Sequence, residues 1–319
     1  MSPDPTFAPS GVNPPPPPLA SSDPVPAPAA DEPAIPIDPL SEESFRLNWS
    51  QRDIEQRLGF RGGRFTTVNK WLTFLIGLLL TALFYALLIF GVAREPGARW
   101  FTAMFTDRGF APYFTLLLFF WGLAILYIKS RKLDLQIEAL GLSAVPQQPD
   151  FVLNRESARA VLKRVHSLVD DASHFLLLNR IERALSNLQN IGQISDVATI
   201  LRYQADYDGE QIAASYGLVQ SFLWAIPVLG FIGTVIGLRA AIAALGITLR
   251  ANGDLSAIRE GLQAVTAGLA TKFETTLIAL ICAVIVQLLL SFLQSREGEF
   301  LDACNDYCQA HVSSKLKLE

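Results

Sequence analysis

Four long apolar segments place the strongest constraint on how this chain can fold. They cover roughly residues 71–92, 113–128, 222–245 and 275–293, and a helix of about 20 residues crosses a bilayer at about 1.5 Å per residue. Half of the 319 residues are hydrophobic and 18% are charged, which is too apolar for an ordinary water-soluble protein. The sequence therefore predicts an all-α integral membrane protein with four transmembrane helices.

The N-terminal region has a different composition from the rest of the chain. Residues 1–40 contain fourteen of the 19 prolines and five acids, but no Lys or Arg. Such a segment cannot bury a core, and it is typical of a disordered or polyproline II chain. We therefore predict a disordered Pro-rich tail over residues 1–45. A role as a Pro-rich ligand is the alternative to a solvated tail.

Basic residues between the apolar segments predict the orientation. Ten of them lie between the second and third segments, including the cluster Lys129, Arg131 and Lys132. The positive-inside rule then places this insert, and with it both termini, in the cytoplasm. No basic patch suggests that the chain binds nucleic acid.

The insert between the second and third spans is predicted to be helical. Apolar residues recur at helical spacing over residues 157–188 and 194–218. The third span is expected to continue the insert unbroken, because no proline lies between Pro149 and Pro227. The charged residues interpreted as a solvated face of the insert are Arg180, Glu182 and Arg183. The predicted regions after the tail are 46–128 with the first two spans, 129–218 as the cytoplasmic helical segment, 219–300 with the last two spans, and 301–319 as a C-terminal cytoplasmic tail.

The third span contains an unusual block, IPVLGFIGTVIGL, at residues 226–238. A helix that served only as an anchor would be mostly leucine and valine, whereas small residues at spacings of three and four allow another backbone to come close. The residues predicted to serve this helix packing are Gly230, Gly233, Gly237 and Pro227. Thr234 lies beside them, and its hydroxyl can either return a hydrogen bond to its own helix or serve a polar site.

The fourth span begins with a second polar block, TKFETTLIALICAV, at residues 271–284. The third helix runs outward and the fourth runs inward, so Thr234 and Thr276 can lie at the same depth. Arg239 and Glu274 both fall nearer the outer surface than these threonines. They either form an ion pair at the outer mouth or reach the interface separately, and the sequence leaves both alternatives open.

These paired blocks resemble the two pore-helix signatures of the MotA/TolQ/ExbB proton-channel family. The similarity covers roughly residues 195–300, and the four-span layout with a large cytoplasmic insert is similar to the MotA-like arrangement. The family's pore threonines match Thr234 and Thr276. Thr275 resembles the extra hydroxyl that sodium-driven relatives carry beside the pore threonine, although it can equally face another helix. Arg239 and the position of Glu274 depart from the family's pattern.

The resemblance also implies partners and a location. In this family, five subunits surround two single-span partners, each with a membrane aspartate that takes up and releases ions. We therefore expect a homopentamer in the bacterial inner membrane with a partner of the ExbD/TolR/MotB type, and no cofactor. The expected function is that of a stator-like ion-channel subunit that couples proton motive force, or sodium motive force, to mechanical work.

A second hypothesis, from a different class, is a non-conducting membrane scaffold or signalling protein that acts through its cytoplasmic helices. A solute carrier fits less well, because the sequence has neither an internal repeat nor a substrate-sized polar site. His166 and His174 lie in the insert without a nucleophile or metal partner, so no enzymatic activity is predicted. The residues with helical spacing that could suit a metal are Cys304, Cys308 and His311, but the missing fourth ligand favours ordinary helix residues and no metal.

Overall fold

The computed structural model describes residues 47–60, 62–91, 97, 99–107, 109–148, 151–188, 194–251 and 255–316. The described chain is built from helices, and its only β-type pairings are isolated bridges, Leu47 with Val169 and Leu153 with Leu316. The predicted all-α class is therefore confirmed. The predicted tail over residues 1–45 lies outside the described residues.

Ten α-helices run through the described residues. They are α1 Trp49–Arg52, α2 Ile54–Arg57, α3 Lys70–Phe90, α4 Arg99–Thr106, α5 Ala111–Leu140, α6 Arg155–Leu168, α7 Leu176–Leu188, α8 Ile194–Ser215, α9 Gly217–Ala251 and α10 Leu255–His311. Four stretches are long and apolar enough to cross a membrane, and they are Lys70–Phe90, Ala111–Leu140, Val197–Ala243 and Phe273–Lys315. The four predicted spans are thus confirmed by length and composition.

The first two spans pack tightly because α3 carries a glycine at their crossing. A Cβ placed on Gly77 would lie 2.7 Å from the Cα of Trp121, closer than atoms of real side chains approach. The indole Nε1 of Trp121 donates a hydrogen bond to Thr73 Oγ1 at 3.1 Å. The small residue on α3 therefore admits the large residue of α5, and the hydroxyl satisfies the indole N–H inside the bundle.

Helix α5 continues beyond Ile128, the predicted end of the second span, and connects the membrane part to the insert. The buried side chain of Gln136 donates from Nε2 to the carbonyl oxygen of His174 at 2.7 Å. Its Oε1 accepts the backbone N–H of Leu176 at 2.9 Å. Both polar ends of this amide are therefore hydrogen-bonded, one to the residue shortly before α7 and the other to the first residue of α7. These bonds hold the insert in position against α5.

The insert itself is interrupted where periodicity alone predicts continuity. Residues 169–175 separate α6 from α7, and Val169 is extended and pairs with Leu47. Asp170 accepts the backbone N–H groups of Trp49 at 2.9 Å and Ser50 at 3.2 Å. Burial by itself would raise the pKa of Asp170, but these amide donors hold it below the usual range. The interruption therefore places a carboxylate at the start of α1.

The third span continues the insert as one stretch, Val197–Ala243, except for a single non-helical residue, Tyr216. Helix α8 ends at Ser215 and α9 begins at Gly217. Between them, the N–H of Tyr216 donates to Ala213 O at 3.2 Å, and the regular pattern resumes with Gln220 N donating to Tyr216 O at 3.0 Å. The chain therefore makes one tighter, 3₁₀-like turn at this point, and the side chain of Tyr216 is buried there.

The interpretation of Arg180 as part of a solvated face is also wrong. Its side chain is 2% exposed, and its Nε lies 2.7 Å from Asp208 Oδ2. Its Nη1 donates to Asn305 Oδ1 at 2.6 Å. Arg180 thus joins α7, α8 and α10 in the interior of the protein. The sequence pattern does not distinguish a buried arginine from a solvated one, because the carboxylate that pairs with a buried arginine is brought to it only by the fold.

Candidate functional site

The two predicted pore threonines meet where α9 packs against α10. Thr276 Oγ1 lies 3.4 Å from Thr234 Oγ1 and donates a hydrogen bond to the carbonyl oxygen of Gly230 at 3.0 Å. Thr234 Oγ1 donates to the carbonyl oxygen of Phe231 at 2.7 Å, and lies 3.3 Å from that of Gly230. Both threonines are half-buried. The pair therefore lies at the edge of the α9–α10 seam.

Both hydroxyls lie within hydrogen-bonding distance of backbone carbonyl oxygens of α9, and this limits what the pair can offer a ligand. A hydroxyl has one donor and two acceptor lone pairs. With the donors directed to Gly230 O and Phe231 O, lone pairs remain on both oxygens. The site can thus accept a hydrogen bond from a protonated acid or from water, or give oxygen ligands to a cation.

Two of the predicted packing glycines allow α9 and α10 to come this close. A Cβ on Gly230 would lie 2.6 Å from Ala279 Cβ and 3.2 Å from Thr276 Cα. A Cβ on Gly233 would lie 2.9 Å from Ala111 Cβ and 3.3 Å from Thr275 Cγ2. Gly237 is buried on the same helix, and Pro227 lies within it. The small stripe therefore puts backbone against backbone at the depth of the threonines.

Thr275 has a different environment from its neighbour Thr276. Its side chain is 2% exposed, against α9 at Gly233, and its Oγ1 lacks a hydrogen-bond partner among the described residues. Thr275 is thus turned into the subunit, whereas Thr276 reaches its edge. This position favours packing over a direct part in an ion pathway.

The two charges predicted at the outer mouth are close in sequence to the threonines but differ in exposure. Arg239 is exposed and Glu274 is half-buried, and Glu274 has an interaction of its own. Ion pairs between residues that the structure describes do not include one joining Arg239 to Glu274. The direct ion pair between them stays a prediction, as does its alternative.

A buried cluster of charges at the end of the spans nearer the insert was missed by sequence reasoning. Lys129 Nζ lies 2.8 Å from both carboxylate oxygens of Glu297, and the two side chains are 1% and 2% exposed. Thr66 Oγ1 accepts from Lys129 Nζ at 3.1 Å, and the hydroxyl of Tyr216 donates to Glu297. Lys129 Nζ also lies 4.1 Å from the centre of the Tyr216 ring. This ion pair joins α5 to α10 with all its strong partners inside the protein.

Lys132, one turn further along α5, belongs to the same buried region. Its Nζ lies 2.5 Å from Glu55 Oε2 and 3.7 Å from Asp53 Oδ2. Glu55 also accepts the N–H groups of Gly63 at 3.0 Å and Asn69 at 2.6 Å. Burial raises the pKa of Asp53 despite the nearby Lys132. The spacing of three between Lys129 and Lys132 was the available signal, since it puts both on one face of a helix.

The cysteines and histidines of the sequence have ordinary surroundings. Cys304 and Cys308 are free and buried, and the ring of His311 stacks on Tyr307 at 4.5 Å. His166 lies 3.2 Å from Glu182, and His174 lies 3.0 Å from Asp171. In the part of the chain that the structure describes, there is no group of three or more His, Cys, Asp or Glu residues that could hold a metal ion.

These features define a multi-pass helical membrane protein whose last two spans share a hydroxyl pair beside a glycine contact. Residues 172–305 match the model of the MotA/TolQ/ExbB proton channel family. The match runs from just before α7 into α10 and includes both threonines, so the resemblance predicted from the paired blocks is confirmed over this part of the chain. The family implies a membrane proton channel-like function, and its members are channel subunits rather than enzymes. No curated protein and no solved structure matches the chain.

Proposed function

We propose that this protein is an ion-channel subunit that couples proton motive force to mechanical work through a single-span partner protein. It would act as a homopentamer in the bacterial inner membrane, with both termini in the cytoplasm. The observation that carries the proposal is the contact of Thr234 with Thr276, 3.4 Å apart at the edge of the α9–α10 seam. Two hydroxyls at one depth, with free lone pairs, are what an acid of a partner would need in a membrane.

The distribution of acids supports the need for that partner. Helix α9 has no Asp or Glu, since none occurs between Glu210 and Asp254, and α10 has none between Glu274 and Glu297. Threonine hydroxyls do not change protonation state in this setting, so they cannot take up and release protons by themselves. The titrating group would therefore come from the membrane aspartate of the partner, hydrogen-bonded to the threonine pair in its protonated form.

Protons are favoured over sodium by the position of Thr275. The resemblance to sodium-driven relatives depends on a second hydroxyl beside the pore threonine, and Thr275 is 2% exposed and packed against α9. Of the three threonine hydroxyls at this seam, a cation would therefore gain those of Thr234 and Thr276 but not that of Thr275.

The substitution Thr276→Val tests the proposal. Valine has nearly the same shape but removes the oxygen, so the protonated partner acid would lose a hydrogen-bond acceptor, and leaving its buried donor unsatisfied costs about 1–3 kcal/mol. We expect proton flux, measured with a pH-sensitive dye in vesicles from cells that carry the variant in place of the wild-type copy, to fall by about tenfold or more. The assembly should still form, because the hydroxyl contributes little packing.

Thr266→Val is the matched control. Thr266 lies on the same helix, and its hydroxyl bonds to Leu262 O and Gln263 O of its own chain. We expect unchanged flux in this control. Normal flux in Thr276→Val would contradict the proposal. If removal of residues 1–40 or changes in the insert then abolished activity in cells, the non-conducting scaffold would be the better description.

The mass of the complex extracted intact from native membranes tests the assembly separately. We expect about five copies of this chain together with a small single-span protein bearing a membrane aspartate. A monomer or dimer, or a ring without such a partner, would contradict the coupling mechanism.

A further inference from the structure

The inner half of α10 carries two polar side chains in an otherwise apolar stretch. Between Thr276 and Gln294, apart from the buried thiol Cys282, only Gln287 and Ser291 are polar. Both are exposed, and Gln287 Nε2 donates to Ser291 Oγ at 3.2 Å. This bond leaves the amide oxygen of Gln287 available to another partner.

These two residues follow Thr276 along one side of the helix. Gln287 comes eleven residues after Thr276, which is about three full turns, and Ser291 comes fifteen residues after it, about four turns. They therefore lie about 17 Å and about 23 Å inward of Thr276, near its side of α10. The hydroxyl of Thr276 thus begins a polar line that continues toward the cytoplasm.

Helix α9 repeats the arrangement in the opposite direction. Gln220 is exposed and precedes Thr234 by fourteen residues, which is about four turns and about 21 Å. Because Thr234 and Thr276 are in contact, Gln220 falls at the depth between Gln287 and Ser291. Each helix of the pair therefore has a threonine at one level and polar groups at a common inner level.

The depth of these groups makes their exposure costly unless water or protein meets them. The ion pair of Lys129 with Glu297 lies at the inner end of the spans, and Gln287 is ten residues outward of Glu297, about 15 Å along the helix. An amide oxygen that faces hydrocarbon at that depth has no hydrogen-bond partner and costs several kcal/mol. Natural sequences place such groups toward a water-filled cavity or a neighbouring chain.

We propose that Gln220, Gln287 and Ser291 line a water-filled inner section of the ion pathway, between the threonine pair and the cytoplasm. This inference rests on the proposed function and extends it to further pathway residues. The amides and the hydroxyl offer both donors and acceptors, which suits water and a hydrated monovalent cation. A proton released at the threonine pair would then reach the cytoplasm through water held by these side chains.

Cysteine accessibility in the full-length protein tests whether this section contains water. The variants Gln220→Cys, Gln287→Cys and Ser291→Cys are treated, in inside-out vesicles of native membranes, with the membrane-impermeant reagent MTSET (a trimethylammonium methanethiosulfonate). Leu289→Cys is the matched control, because Leu289 is 44% exposed at the same depth but about three and a half turns from Thr276, on another side of α10. The wild-type protein gives the background of the three buried native cysteines.

We expect the three variants to react at least tenfold faster than Leu289→Cys. Rates equal to that of the control would overturn the proposal, since they would place these side chains in lipid or in a dry contact between subunits.

Because labelling does not depend on ion flow, its outcome is separate from that of Thr276→Val. Slow labelling with loss of flux in Thr276→Val would keep the proposed function and reject the inner section. Fast labelling together with normal flux in Thr276→Val would show that the section contains water but would reject its role as part of an ion pathway.

A rescue experiment tests whether the polar group acts by its position. Gln287→Leu should lower proton flux severalfold. Adding Val284→Gln, less than one turn outward on nearly the same side, should restore part of the flux, whereas adding Leu289→Gln should not. Both replaced residues are exposed, 57% and 44%, so the two double variants carry the same change in polarity. Equal flux in both double variants, or undiminished flux in Gln287→Leu, would overturn the assignment.

Discussion

Lys129→Met is expected to destabilise the protein more than any other single substitution considered. Methionine fills much of the volume of the lysine stem but leaves Glu297 as a charge that is 2% exposed. Removing one partner of a buried ion pair costs about 3–5 kcal/mol. We expect a large drop in the apparent Tm of the detergent-solubilised complex and a much lower yield from membranes.

Arg131→Met is the control for this change. Arg131 lies two residues away on α5, its side chain is 61% exposed, and its ion pair with Asp134 is long at 4.0 Å. We expect the Tm of that variant to match the wild type, because exposed ion pairs contribute little.

The double variant Lys129→Met/Glu297→Gln separates the loss of the pair from the burial of a lone charge. With both charges gone, we expect the double variant to recover part of the stability that Lys129→Met loses. Glu297→Gln keeps an acceptor for the hydroxyl of Tyr216. If Lys129→Met were as stable as Arg131→Met, the ion pair would have no structural role.

Gly230→Ala is expected to have the second largest effect, and it acts at the site itself. The added methyl group would lie 2.6 Å from Ala279 Cβ, so α9 and α10 must separate at the level of Thr276. Overpacking of this kind costs about 1–3 kcal/mol. We expect a lower Tm and a drop in proton flux of tenfold or more, because the threonine oxygens move apart.

Gly246→Ala supplies the opposite result on the same helix. A Cβ on Gly246 meets nothing within 4 Å, and alanine is favoured over glycine in a helix by up to about 1 kcal/mol. That variant should be as stable as the wild type or slightly more so. Adding Ala279→Gly to Gly230→Ala removes the clashing methyl group and should return flux and Tm toward wild-type values. Failure of this rescue would mean that Gly230 matters for another reason.

The sequence predicts the membrane part well because hydrophobic length and small-residue spacing are local signals. The depth match of Thr234 with Thr276 needs only the antiparallel order of two spans, and their oxygens lie 3.4 Å apart. Which of two adjacent threonines reaches the edge is a matter of helix rotation. That rotation is set by the packing of α10 against Gly230 and Gly233 of α9, and because this contact joins two helices, the sequence leaves the role of Thr275 open.

The inner charged cluster could not be predicted for the same reason. Lys129 and Glu297 are 168 residues apart, and each alone looks like a residue at a membrane boundary. The basic cluster at 129–132 predicts the orientation by its charge, but the structure buries two of its members. The burial of Arg180 in the insert could not be predicted for the same reason, since its partners Asp208 and Asn305 come from two other helices.

The length of α10 has a mechanical consequence. It is a single helix of 57 residues, about 85 Å long, and it carries Thr276 near the end of its first third and His311 at its last position. These two positions are about 52 Å apart along the axis. A rigid rod tilted by about 5° at Thr276 would displace His311 by about 5 Å. A small rotation of α10 about the hydroxyl pair would therefore reach the far end of the helix as a step larger than a carbon–carbon contact.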